Sequence, residues 1–169
     1  MTSTAMSRRT TVGDEGTDQR RGDPNTMKGA TTVGQRVAIC FVAGVVGALA
    51  VVLSSHALFQ VGLVVDGPIP LPVAFEAPGI YRPLFWGGLW GIPFGLLIKS
   101  VWSRRYLFGI AYFIAPILAT FLFFLPMNGA GYFGLEQAGP MFPLTIVLVN
   151  VPFGIVTTLV ASAIIGKNP

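Results

Sequence analysis

The sequence predicts an all-α membrane protein: four transmembrane helices in a tightly packed bundle, both termini cytoplasmic. Three observations carry that expectation. Of 169 residues, 53% are apolar and 11% charged, and mean hydropathy is +0.69, too apolar for a soluble chain of this size. Four apolar runs of bilayer length divide the chain. Ten of its 11 Lys and Arg residues fall on one side of the alternating loops, the positive-inside signature.

Residues 1–35 form the first segment. Val12 and Val33 are their only large aliphatic residues, so they cannot bury enough surface to offset chain entropy, and a disordered cytoplasmic tail is expected. Arg8, Arg9, Arg20, Arg21 and Lys28 alternate with Asp14, Glu15, Asp18 and Asp23; this local cancellation argues against a nucleic-acid arm. Met27 directly precedes Lys28 and the first apolar run, so translation from Met1 and from Met27 both fit.

The membrane domain is expected over 36–166. Val37 to Ser55 is an uncharged stretch of 19 residues and spans about 28 Å as a helix, close to the hydrocarbon thickness. A cleaved signal peptide competes, since Ser55 and Ala57 are small residues at cleavage spacing, but the apolar run is long for one. The first span is therefore set at 37–56. The greasy sequence continues to Val65, too far for a straight crossing, so its end must tilt, protrude or turn along the surface. Residues 66–82 contain Gly67-Pro68-Ile69-Pro70-Leu71-Pro72 and Pro78-Gly79. Such proline density forbids helix and predicts a semi-rigid outer loop.

The remaining spans are expected near 82–100, 106–125 and 141–165. A basic turn, Lys99 to Arg105, separates the second from the third, and a glycine-rich loop around Gly129-Ala130-Gly131 separates the third from the fourth. Lys167 closes the cytoplasmic set. The outer loops hold Asp66, Glu76 and Glu136 and a single basic residue, Arg82. Trp102 with Tyr106, and Tyr81 with Tyr132, fall at the two interfacial aromatic belts.

Small residues recur every four positions: Gly87, Gly91 and Gly95 in the second span; Ala111, Ala115 and Ala119 in the third; Asn150, Gly154, Thr158 and Ser162 in the fourth. Such stripes let helix backbones approach where lipid removes the hydrophobic drive, and they predict packing seams within the chain or between copies. A glycine-lined pore is the alternative. Pro93, Pro116 and Pro152 each delete one backbone hydrogen bond and free the carbonyls of Leu89, Tyr112 and Leu148. Asn150 is the expected interhelical donor, with a solute contact as its functional alternative. Ile92-Pro93-Phe94-Gly95-Leu96 and Val151-Pro152-Phe153-Gly154-Ile155 echo one another; a tandem hairpin duplication and chance both account for it.

The chemical inventory is sparse. No charged residue lies inside a span, which argues against proton-coupled or charge-translocating transport. No Walker loop, paired carboxylates, zinc helix or Ser/His/Asp set is present, and Cys40 is the only cysteine. No enzyme activity, cofactor or metal is expected. The outer face collects His56, Glu76, Arg82 and Glu136, a recognition surface if they act together and ordinary solvation if they do not; Arg82 is able to bind an anionic headgroup or to pair with Glu76.

The run Leu125-Pro126-Met127-Asn128-Gly129-Ala130-Gly131-Tyr132-Phe133-Gly134, followed by Asn150-Val151-Pro152-Phe153-Gly154-Ile155 and accompanied by Trp86-Gly87-Gly88-Leu89-Trp90-Gly91, resembles small four-span bacterial inner-membrane proteins loosely similar to the YagU-like group. The proline-rich first loop departs from that pattern. The resemblance implies an inner-membrane protein and transfers no catalytic residue. The expectation is a non-enzymatic structural or accessory subunit acting through helix-helix contacts, with the lipid bilayer and either a second copy or another membrane protein as partners. The alternative is a small transporter or channel for an uncharged or weakly polar solute.

Overall fold

The computed structural model describes residues 31–166 and is helical, with no strand among the described residues. Expectations about the 1–30 segment, the Met27 start and Lys167 lie outside those residues. Three helical stretches are long and apolar enough to cross a membrane: Val33–Gln60, Trp102–Met127 and Met141–Ile165.

Helix α1 (Val33–Gln60) begins four residues before the expected apolar start because Thr32 and Gln35 form a capping box. The Thr32 hydroxyl accepts from the Gln35 N–H at 3.2 Å, and the Gln35 side chain accepts from the Thr32 N–H at 3.0 Å, satisfying otherwise orphaned donors at the helix start. The helix runs straight through Ser55. It closes at Gly62, whose φ of +71° permits the Leu63 N–H to reach back to the Leu58 carbonyl at 2.9 Å.

Helix α2 (Tyr81–Leu97) has 17 residues, about 26 Å of helix, and is shorter than the three stretches above. It lies antiparallel to α1, which the contacts between them establish: Gly87 meets Gly44 and Ala48, Gly91 meets Cys40, and Gly95 meets Cys40 and Arg36.

The third stretch is discontinuous. A turn at Trp102–Arg104 leads into α3 (Arg105–Tyr112); the chain breaks at Phe113 and resumes as α4 (Ile114–Ala119), a π-helical turn over Thr120–Phe124, and α5 (Leu125–Met127). Prolines account for both irregularities. Pro116 has no N–H for the Tyr112 carbonyl, and Pro126 has none for Leu122. The ladder shifts to a wider bond from the Leu125 N–H to the Thr120 carbonyl, and the Thr120 hydroxyl donates to the Pro116 carbonyl at 2.9 Å. In the basic turn, the Arg105 guanidinium sits 4.7 Å from the ring centres of both Trp102 and Tyr106, a cation-π arrangement.

After a short helix α6 (Leu135–Ala138), α7 (Met141–Ile165) returns alongside the third stretch. It is antiparallel to the third stretch, Gly109 meeting Gly154 and Thr158, and it also packs along α1. Two apolar clusters result. One gathers Cys40, Ala43, Phe94, Ile98, Tyr112, Phe153, Ala161 and Ile165. The other, at the end carrying the 61–80 loop, gathers Ile117, Phe121, Leu125, Ala130, Phe142 and Ile146, with Ile69 and Leu71 of the loop against it.

The α1–α2 contact is made by backbone. A Cβ on Gly91 would run into the Cys40 carbonyl, and one on Gly44 into the Gly87 carbonyl oxygen, so neither neighbour has a flexible side chain that can move aside. Gly91→Ala is expected to destabilise the protein by about 1–3 kcal/mol, the usual cost of overpacking, whereas Ala111→Val, at an exposed site, should stay within about 0.5 kcal/mol. Reversible unfolding in mixed micelles measures both; equal midpoints would remove the backbone seam from the account.

Candidate functional site

The residues of the expected packing stripes divide according to helix geometry. Gly87, Gly91 and Gly95 all face α1. Gly154 and Thr158 are buried against α3, and the Thr158 hydroxyl donates to its own helix at Gly154. Ser162 is half-buried, its hydroxyl unpartnered among the described residues. In the third stretch the close approach to α7 belongs to Gly109. Ala111 lies two positions further, about 200° around the helix, and is exposed, while Ala115 and Ala119 are half-buried. Counting repeats of four overlooks Gly109, a solitary glycine opposite another solitary glycine.

The two Pro-Phe-Gly motifs take matching places. Phe94 and Phe153 enter the same apolar cluster, while Gly95 approaches the α1 backbone and Gly154 approaches Gly109 and Phe113.

Beside these seams lies a cavity of about 390 Å³, within the range of small-molecule sites. All four helical stretches wall it: Ala48 and Val51 from α1; Arg82, Trp86 and Trp90 from α2; Pro116, Thr120 and Phe124 from the third; Ile146, Asn150 and Phe153 from α7. Residues Pro68 to Leu71 and Val73 cover part of it, and the rest stays open. Sequence analysis places this segment outside as a proline-rich loop; in the fold its apolar side chains, Ile69 and Leu71, turn inward against the second cluster.

Three polar side chains hold the cover. Ser55 Oγ accepts from the Val73 N–H at 3.2 Å and donates to the Val52 carbonyl at 2.7 Å. His56 Nε2 donates to the Val73 carbonyl at 2.8 Å while its ring stacks on Phe75 at 4.4 Å. The Thr145 hydroxyl lies 3.2 Å from both the Leu63 carbonyl and the Met141 carbonyl of its own helix and donates its one proton between them. Of the four residues expected at the outer face, then, His56 anchors the loop and Arg82, itself exposed, lines the cavity. Glu76 and Glu136 are exposed, Glu136 lying beside Gly131 in the other loop.

Asn150 faces the cavity and donates to Ile146 of its own helix at 2.8 Å. The expected interhelical bond is absent there because the cavity occupies the space a neighbouring helix would need. The helix-to-helix bond forms elsewhere, from the Tyr112 hydroxyl to the Trp90 carbonyl at 2.7 Å. Tyr112 also packs edge-on against Phe94, so one residue ties the third stretch to α2. Its role escapes a sequence reading that treats interfacial tyrosines as anchors and intramembrane ones as apolar.

The chemistry available at the cavity wall is limited. Arg82 is the single charged lining residue; Asn128, Asn150 and Thr120 supply the polar side chains, and Trp86, Trp90, Phe124 and Phe153 the aromatic surface. Among the described residues no group of three or more His, Cys, Asp or Glu is placed to hold a metal ion. The chain matches no protein-family model, and no curated protein or solved structure shows significant similarity to it.

Ser55→Ala removes the acceptor for the Val73 N–H and should cost about 1 kcal/mol. The loop's protection should fall with it: hydrogen exchange at residues 67–75 is expected to accelerate several-fold while the α1–α2 seam stays protected. Unchanged exchange in the loop would show that the apolar contacts of Ile69 and Leu71 alone hold the cover.

Proposed function

We propose that the chain is a four-crossing integral membrane protein of a bacterial inner membrane, with both ends cytoplasmic, that binds and passes a largely apolar, weakly polar molecule and performs no covalent chemistry. The observation that supports this reading is the partly covered cavity, to which each helical stretch contributes and in which Asn150 retains an unpaired amide oxygen among the described residues. The wall offers no carboxylate, His or Cys for acid–base or nucleophilic work. In this reading α2 is the fourth crossing, supported by its antiparallel seam with α1, and the charge distribution supports the orientation.

A second reading, the non-enzymatic accessory subunit, draws on the third stretch. Leu107 is 67% exposed and Ile110, Ile114, Leu118 and Leu122 share the exposure, forming a face for lipid, a second copy or a partner helix. The glycine stripes favour the first reading, because Gly87, Gly91, Gly95 and Gly154 are occupied within the chain and leave no comparable seam for docking.

Topology and binding are separately measurable. In a Cys40→Ser background, single cysteines replacing Glu76 and Glu136 should react with an impermeant maleimide on intact cells, and one replacing Ser103 only after permeabilisation; the reverse pattern would invert the orientation. For binding, a brominated long-chain alcohol should quench Trp86 and Trp90 saturably in nanodiscs, and Asn150→Leu should weaken that binding several-fold, in line with about 1 kcal/mol for one intramembrane hydrogen bond. Non-saturable quenching identical in both proteins would sink the cavity-binding reading and promote the accessory subunit, for which native mass spectrometry should then find a bound polypeptide at fixed stoichiometry.

A further inference from the structure

The cavity has a direction. Arg82, Trp86 and Trp90 line it from a single helix at intervals of four residues, which places them on one stripe about 12 Å long. The guanidinium stands at the α2 end beside the loop, the first indole lies one turn further along, and the second one turn beyond that. Val51, Phe124, Ile146, Val149 and Phe153 line the cavity with the indoles, Phe124 meeting Trp86 edge-on at 5.0 Å. One end is cationic, and the rest is mainly aromatic and aliphatic, with Thr120, Asn128 and Asn150 as its polar side chains.

Arg82 is also out of place by one general rule. Loops facing away from the cytoplasm are depleted in basic residues, and on the orientation above this is the only one that the two outer loops contain. The Arg82 side chain is exposed at the edge of the cavity, and no Asp or Glu lines the cavity with it. A guanidinium presents a planar fork of N–H donors that matches a carboxylate or phosphate in two-point geometry.

Resting on the cavity-binding reading above, we propose that the ligand is a single-tailed amphiphile with one anionic head group, carboxylate or phosphate. Its head pairs with Arg82 and its tail lies along Trp86 and Trp90 beneath the Pro68–Val73 cover. Uncharged amphiphiles occupy the same channel without the head-group contact. The apolar wall makes the tail part of recognition, so a free inorganic anion is a poor ligand.

The test uses the full chain in nanodiscs of zwitterionic lipid, with Trp102→Phe so that emission comes from Trp86 and Trp90 alone. Brominated dodecanol, dodecanoate and dodecyl phosphate share a tail and differ in the head. The expected result is saturable quenching by all three, with the anions binding roughly ten- to hundredfold tighter than the alcohol, the range of a charge-assisted contact. Arg82→Gln should abolish that difference, and Arg82→Lys should restore part of it. Inorganic phosphate and acetate should fail to displace the bound probe. Equal affinity of alcohol and anions, or an anion preference that survives Arg82→Gln, overturns the head-group assignment and leaves the cavity reading standing. Displacement by inorganic phosphate or acetate overturns the amphiphile in favour of a simple anion site. Absence of saturable quenching by any probe overturns both.

Discussion

The backbone contact between α1 and α2 is the constraint on which the other features depend. In lipid, apolar side chains gain nothing by leaving their neighbours for one another, so helices associate through close van der Waals fit and the few hydrogen bonds within reach. Gly44, Gly87 and Gly91 remove the side chains that would hold these two backbones apart. The contact also sets register. With Gly91 against the Cys40 carbonyl, Gly87 falls beside Ala48, and Trp86 and Trp90 lie along the wall of the cavity.

A bundle that is tight at one end opens at the other. Around Gly91, Gly95, Gly109 and Gly154 the helices touch through backbone, and Tyr112 bonds across to Trp90. Towards the 61–80 loop the third stretch is broken at Phe113, carries Pro116, and widens into a π turn, while bulky rings such as Trp86 and Phe124 meet edge-on at 5.0 Å. Irregular backbone of this kind survives in a membrane where it borders a cavity and its carbonyls find local donors, as the Thr120 hydroxyl provides for Pro116. The cavity and the proline pattern are thus two aspects of one packing arrangement.

The cover connects this interior to the loops. Ser55 and His56 extend the last turns of α1 into hydrogen bonds with Val73, and Thr145 fixes Leu63 from the start of α7. These bonds join elements distant in sequence by neutral, directional contacts. Proline limits what the segment loses in conformational entropy on ordering, which makes a short apolar loop such as Pro68 to Leu71 able to pack inward rather than remain solvated.

Much of the architecture was legible in the residues themselves. Helical content follows from apolar runs in which backbone groups need internal partners, the position of loops from proline and glycine clusters, and the α2 seam from Gly87, Gly91 and Gly95. These are local properties, readable at fixed spacing along one helix. Other features arise between segments and have no local signature: the choice of Gly109 over Ala111 as the contact to α7, the Tyr112 bond to Trp90, the inward turn of Ile69 and Leu71, and the return of the Asn150 amide to its own helix. Each depends on which stretch stands opposite, and at what separation. Sequence composition determined that this chain folds as apolar helices and supplied Arg82, Trp86, Trp90 and Asn150. Only the tertiary structure brought those four residues to one cavity, because helix pairing and proline-induced breaks set the distances between segments.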